Sequence, residues 1–234
     1  MRSKGIMNTK LVKIQSRPDY VDEVYKALLD AISDGSLAPG TRITQEEIAE
    51  QMAVSRSPVL QALRLLKKDG FVQDAPGRGL LVSPLDPAWI GKLYEIRGAL
   101  DMLAVRLAAE RKQKIDPKLI VRGRQASDSG NVKQLIDTDI AFHAAIYIAS
   151  GNPLIADSAL VHWNHLRRVM GAVLQSSAQR ESIWDEHEQI ANAIAKGDSK
   201  RAVEMTDLHT NRARINLVRR LGEVLKEQES QTLA

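Results

Sequence analysis

The sequence predicts a mainly α chain in two parts: a compact three-helix module with a small β hairpin, then an all-α six-helix antiparallel bundle. Three observations carry this. Apolar residues recur at helical spacing from Val21 onward. The strand-like runs sit together around a Gly-rich DAPGRG. Pro84 and Pro87 then separate that region from one in which every period is helical. A chain of 234 residues accommodates a module of about 70 residues and a domain of about 140.

Residues 1–17 are polar, lack an apolar period and read as a flexible arm. Val21, Val24, Tyr25, Leu28, Leu29 and Ile32 share one helix face to about Ser33, where DGSLAPG breaks the helix with Gly35 as C-cap and Pro39-Gly40 as a turn. Thr44 followed by Glu47 has capping-box spacing and opens a short helix over about 45–51, with Ile48 and Met52 inward. Ala53-Val54 makes a turn. Ser57 and Pro58 read as N-cap and N1 of a third helix whose Val59, Ala62, Leu63 and Leu66 face inward, ending at Asp69-Gly70. Strands over 71–73 and 80–82 flank the glycine-rich turn as a wing, so the module spans 18–84 and the linker 85–87.

The second part, 88–228, reads as helices over about 88–112, 117–127, 132–150, 153–176, 181–196 and 199–227, with a tail at 229–234. Breaks at Asp116-Pro117, Ser129-Gly130-Asn131, Gly151-Asn152-Pro153 and Gly197-Asp198 leave short connections, which favour a bundle.

Apolar residues make up 44% of the chain and aromatics 4%, so aliphatic side chains build the cores. The absence of cysteine excludes disulfides and Cys-ligated metal; any metal must use His and carboxylates. No stretch approaches the roughly 18 apolar residues of a membrane span and the start lacks an apolar leader, so the expectation is a cytoplasmic protein with no membrane partner.

The net charge of +4 is mild, but its distribution is not: RSPVLQALRLLKK carries Arg56, Arg64, Lys67 and Lys68 with no acid. In a helix-turn-helix the second helix enters the major groove, and the helix from Ser57 to Lys68 stands in that position. Arg56 and Arg64 can reach guanine or phosphate, Ser55 and Ser57 can hold phosphates, and Arg78 and Gly79 belong to the wing. A solvated charged face is the plainer alternative, and the order helix, turn, helix, basic wing favours double-stranded DNA.

GSLAPGTRI, EEIAEQMAVSRSPVLQALRLLKKDGFV and GRGLLV together resemble the winged helix-turn-helix of the GntR superfamily of bacterial regulators over about 18–83, and the later region resembles its FCD ligand-binding domain, in the FadR branch. Six expected helices rather than seven resemble the VanR-like subgroup. The chain departs from the family where an Arg-Glu pair is usual, carrying Leu60-Gln61, and where an arginine is usual near Glu46. Leu60 can touch a thymine methyl and Gln61 can read adenine, which implies an altered operator.

Asp139 and His143 leave one face of their helix among Leu135, Ile136, Ile140 and Tyr147; His187 lies on the apolar stripe of Ile183 and Ile190, and His209 follows Met205 by four. Each histidine alone also fits a hydrogen-bonded core residue, and Asp139 with His143 a plain ion pair. One Asp oxygen and three His nitrogens from three helices can also converge on Zn²⁺ or Ni²⁺, leaving room for a ligand. The family resemblance implies the metal, since FCD proteins with an Asp-x-x-x-His, His, His pattern carry one and these four positions match. It also implies a small organic acid effector near that metal, for which Arg97 can clamp a carboxylate, although a salt bridge with Asp101 or Glu186 serves it equally.

His162 and His165 read as structural or surface residues, and Arg212, Arg214, Arg219 and Arg220 as a solvated face. The reading is a homodimeric regulator of a palindromic operator. Its rivals are a metallohydrolase, for which Glu186 and Glu188 point away from His187, and a ligand-free dimerisation domain.

Overall fold

A computed structural model describes residues 20–174 and 181–232; the expected arm at 1–17 lies outside them, as do residues 175–176 of the expected 153–176 helix and residues 233–234 of the expected tail. The head contains α1 (Tyr20–Ser33), β1 (Arg42–Ile43), α2 (Gln45–Gln51), α3 (Arg56–Lys68), β2 (Val72–Asp74) and β3 (Leu80–Val82). Val24, Leu28 and Ile32 of α1, Ile48 of α2, and Val59, Leu63 and Leu66 of α3 are buried together, the faces that the helical period selects. The Thr44 capping box is present: the Thr44 hydroxyl accepts from the Glu47 amide, and the Thr44 amide donates to the Glu47 carboxylate at 3.1 Å. Ala53 makes the turn between α2 and α3 at a φ of 52°.

Three details differ from the sequence expectation. α3 starts at Arg56, not after Ser57; Ser55 is the N-cap, without a side-chain cap bond, and Pro58 falls third in the helix. Proline fits there because first-turn amides have no intrahelical acceptor. Secondly, β1 joins the hairpin, giving an antiparallel sheet of order β1-β3-β2 with Arg42 opposite Leu81 and Val72 opposite Val82. Two residues are too few to show a period of two. Finally, β2 begins at Val72 because Phe71 is used to close α3: its amide donates to Leu66 O at 2.9 Å and that of Gly70, at φ 83°, to Lys67 O at 3.1 Å.

The helical part comprises α4 (Pro87–Glu110), α5 (Pro117–Ser129), α6 (Val132–Ser150), α7 (Pro153–Val173), α8 (Glu181–Lys196) and α9 (Ser199–Thr232). Asp86, Asp116, Asn131 and Asn152 cap the first amides of α4 to α7. Pro87, expected in the linker, is the first residue of α4, where its fixed φ suits a helix start. α9 runs to Thr232, into the expected tail, because the Lys, Glu and Gln residues of 226–231 sustain a helix after the apolar period has faded. Among the described residues no helix is long and apolar enough to cross a membrane.

α4 is the central element, packed along α9 and touching α6, α7 and α8. Around it Phe142, Leu166, Trp184, Ile194 and Leu221 are buried. The head rests on α7. His165 Nε2 lies 2.8 Å from the Asp69 carbonyl oxygen, and its ring stacks on Phe71 with centroids 4.0 Å apart. Arg168 donates to the Ser83 carbonyl, and Arg167 pairs with Asp137 and approaches Asp30 at 3.9 Å. His165 is therefore structural and joins the two parts; burial holds its pKa down at about 4.

On the other side, α5 lies so close to α8 that a Cβ on Gly123 would stand 2.1 Å from the Trp184 ring. Gly123→Ala is expected to cost about 1–3 kcal/mol, seen as a lower melting temperature by circular dichroism. An unchanged melt would mean that the indole yields freely.

Candidate metal centre and DNA-reading surface

The middle of the helical part holds a cluster of polar side chains. α4 supplies Arg97 and, one turn on, Asp101; α6 supplies Asp139, His143 and Tyr147 at successive i+4 positions; α7 supplies Trp163, α8 His187 and α9 His209. Arg97 Nε lies 3.1 Å from Asp101 Oδ2, with both side chains 2% exposed. The Tyr147 hydroxyl donates to Asp101 Oδ1 at 2.5 Å and accepts from Trp163 Nε1 at 3.0 Å. The Trp163 ring also faces the guanidinium, 4.0 Å away. Burial works against the charge of Arg97, but Asp101 holds the guanidinium protonated. Burial pushes the Asp101 carboxyl up, opposed by Arg97 and the Tyr147 hydroxyl.

Beside this pair one ligand atom from each of His143, His187 and His209 falls within a mutual 4.8 Å, and all three residues are buried. His187 Nε2 lies 3.3 Å from His209 Nε2 and 3.5 Å from Asp139 Oδ1. Zinc–nitrogen bonds of about 2.0–2.1 Å at tetrahedral angles place neighbouring ligand atoms about 3.3–3.4 Å apart, so this spacing fits a metal. The protonation states fit as well. Burial and Arg97, with neighbouring imidazoles, hold His143 and His187 well below the usual histidine range; burial and Arg97, opposed by Asp139 and Asp101, hold His209 at about 4, so all three are neutral at pH 7 as ligands must be. His187 Nδ1 is buried without a hydrogen-bond partner.

His143 has a second engagement: its Nε2 lies 2.9 Å from Arg97 Nη2, and since a guanidinium only donates, that nitrogen accepts. Its Nδ1 faces Asp101 Oδ2 at 3.6 Å. Of the two partners weighed for Arg97, Asp101 is the one it meets. Glu186 goes elsewhere, and the expectation that it points away from the site is corrected. Its long side chain turns to α9, where His209 Nδ1 donates to Oε2 at 2.8 Å and Arg212 pairs with Oε1. Glu188 pairs with Arg124 at 2.8 Å. Tyr94, 5.3 Å from the Arg97 guanidinium, and Thr210, next to His209, line an open groove of about 120 Å³ between α4 and α9.

On the head, Ser55, Arg56, Ser57, Leu60, Gln61, Arg64 and Lys68 are exposed along α3. Lys67 bonds both oxygens of Asp74 at 2.7 Å and so braces the wing strand. Gly79, at φ 89°, would put a Cβ 2.8 Å from Ile43 O; its lack of a side chain lets the wing lie on β1. Sequence reasoning missed three residues that shape this surface. Arg42 donates to the Arg78 and Pro76 carbonyls at 2.8 and 2.7 Å, Gln45 to the Arg56 carbonyl at 2.7 Å, and Glu46 lies 3.4 Å from Arg56 and 3.9 Å from Arg78. The signal was the departure at Glu46, an acid flanked in space by Arg56 and Arg78.

Residues 92–212 match the FCD domain, and residues 20–82 match the bacterial regulatory proteins of the gntR family. The HTH-type transcriptional regulator LutR of Bacillus subtilis is 30% identical over 196 residues, covering 73% of this chain and 89% of LutR. A second regulator from that organism, YdhC, is 27% identical over 207 residues, covering 85% of this chain and 91% of YdhC. The solved structure of Escherichia coli McbR/YncC shares the fold, with a TM-score of 0.74 at 22% identity over 86% of this chain and 97% of its own.

The depressed His209 pKa has a stability consequence. An imidazole that titrates near 6.5 unfolded and near 4 folded binds its proton more readily unfolded, so the stability it contributes is full above pH 6.5 and lost as pH falls towards about 4. Asp101 and Asp139, raised by burial, act in the opposite sense. Metal-stripped wild type is expected to lose more melting temperature across that window than metal-stripped His209→Asn; parallel pH profiles would contradict a buried neutral imidazole.

Proposed function

This chain belongs to the GntR family of bacterial regulatory proteins and carries an FCD domain, and from that premise we propose a homodimer that binds a palindromic operator and responds to a small organic acid held at a metal centre. It is a transcriptional regulator and not an enzyme, as its relatives are. The observation that carries the sensing half of the proposal is the convergence of three buried neutral imidazoles, with Asp139 against one of them, beside a buried guanidinium.

In this proposal His143, His187, His209 and Asp139 hold a divalent transition metal, Zn²⁺ or Ni²⁺. Bound there, it would act as a Lewis acid able to take a carboxylate oxygen as a further ligand beyond these four. Arg97 provides the cation that the same carboxylate meets. Asp101, Tyr147 and Trp163 hold the guanidinium beside the imidazoles, and its Nη2 bond to His143 Nε2 must open for that nitrogen to ligate.

The response travels along α7 in this reading. Trp163 faces Arg97, and two residues later His165 is bonded to the carbonyl of Asp69, the residue that caps α3. A ligand that moves Arg97 therefore acts on the seating of the reading helix. It shifts operator affinity only as far as it binds the two seatings unequally. On DNA, Arg56 and Arg64 take guanine or phosphate, Ser55 and Ser57 phosphate, Leu60 a thymine methyl and Gln61 adenine, with Arg78 and Gly79 at the wing. In this reading the protein acts in the cytoplasm.

Elemental analysis comes first. Wild type is expected to hold near-stoichiometric metal that is lost in His143→Ala and His187→Ala; no metal even after reloading would sink the sensing half. On an operator selected from random DNA, Arg56→Ala is expected to weaken binding by about 1–3 kcal/mol at unchanged metal content. His187→Ala is expected still to bind that DNA but to lose its response to small carboxylates, read by fluorescence anisotropy. An Arg56→Ala protein that bound DNA like wild type would remove Arg56 from the reading surface.

A further inference from the structure

Just outside the imidazole cluster, α8 and α9 meet through a carboxylate. Glu186 immediately precedes His187, its side chain is 20% exposed, and it meets two residues of α9 that lie three apart. One oxygen accepts from His209 Nδ1 at 2.8 Å, while Arg212, half exposed, pairs with the other. A carboxylate only accepts, so Nδ1 of His209 must carry the ring proton. The lone pair of this imidazole then lies on Nε2, the atom 3.3 Å from His187 Nε2.

We propose that Glu186 is the positioning residue of the metal centre: it fixes His209 in the Nδ1–H tautomer with Nε2 free to ligate, and Arg212 steadies it from the solvent side. The proposal rests on the metal reading given above. Three physical consequences support the role. The carboxylate raises the basicity of the imidazole that it holds and so strengthens Nε2 as a ligand. It fixes the ring plane, which otherwise rotates about two side-chain torsions. It also does so from the water-facing rim, leaving the interior between Asp139, His187 and Arg97 to other groups. His187 has no such partner at its own Nδ1, so the burden of orientation within this pair of imidazoles falls on His209.

The test uses the full-length protein and competition for Zn²⁺ against a chromophoric chelator. Glu186→Ala is expected to weaken Zn²⁺ binding about 10–100-fold. Glu186→Gln should lose less, because its amide oxygen still accepts the Nδ1–H without the charge. Glu188→Gln, one residue beyond His187 and paired outward with Arg124, should bind as wild type does. Should Glu186→Ala fail to fold, Glu186→Gln together with the ¹⁵N spectrum of metal-free wild type decides. That spectrum is expected to show His209 protonated at Nδ1, and Nε2 protonation would overturn the inference, as would Glu186 variants that bind Zn²⁺ within twofold of wild type. If wild type binds Zn²⁺ no better than His187→Ala, the metal reading itself fails; a His209 ring still protonated at Nδ1 would then confine Glu186 to setting the tautomer, ending its role at a metal.

Discussion

Everything in the helical part is arranged around one ion pair that does not meet water. Arg97 and Asp101 lie one turn apart on the central helix, both nearly fully buried. A lone charge there would cost several kcal/mol, and the pair is tolerable only with good geometry and further hydrogen bonds. The neighbouring helices supply them: Tyr147 from α6 reaches Asp101, Trp163 from α7 lies against the guanidinium, and His143 accepts from it. The polar centre thus fixes how α4, α6 and α7 meet, while the aliphatic core supplies bulk attraction with little directional preference.

The same constraint explains why the imidazoles can stay neutral and close together. Three ionisable rings within a few ångströms would repel one another if protonated. Burial and the fixed charge of Arg97 suppress that protonation. The joint to the head begins one helix away, where α7 carries Trp163 on the side of the cluster and His165 and Arg168 on the side of the head. The polar cluster and the contact with the head thus share an element, though they share no residue.

Local signals were legible in the sequence. The capping box at Thr44 and Glu47, the proline starts of α5 and α7, and the glycine stops at Gly130 and Gly151 depend on a few neighbouring residues, and α6 begins and ends where its period does. Burial of His143 and His187 was legible from the stripes of their helices and that of His209 from its place at the edge of one, whereas their convergence also drew on the family resemblance. What stayed hidden depends on distant partners or on side-chain reach. His165 meets a residue 96 positions away. A helix wheel gives the direction in which the Glu186 side chain departs, but its three torsions carry the carboxylate back to α9. β1 is defined by the strand that it pairs with, and two residues hold no period of their own.

The joint between head and sensor has an evolutionary consequence. His165 and Arg168 grip the head through the carbonyl oxygens of Asp69 and Ser83, and every amino acid offers a carbonyl. Side chains on the exposed face of α3 can therefore change without removing those acceptors, whereas the stack of His165 on Phe71 ties the residue that closes α3 to the helical part. Drift in the exposed residues of the head need not await compensating change on α7.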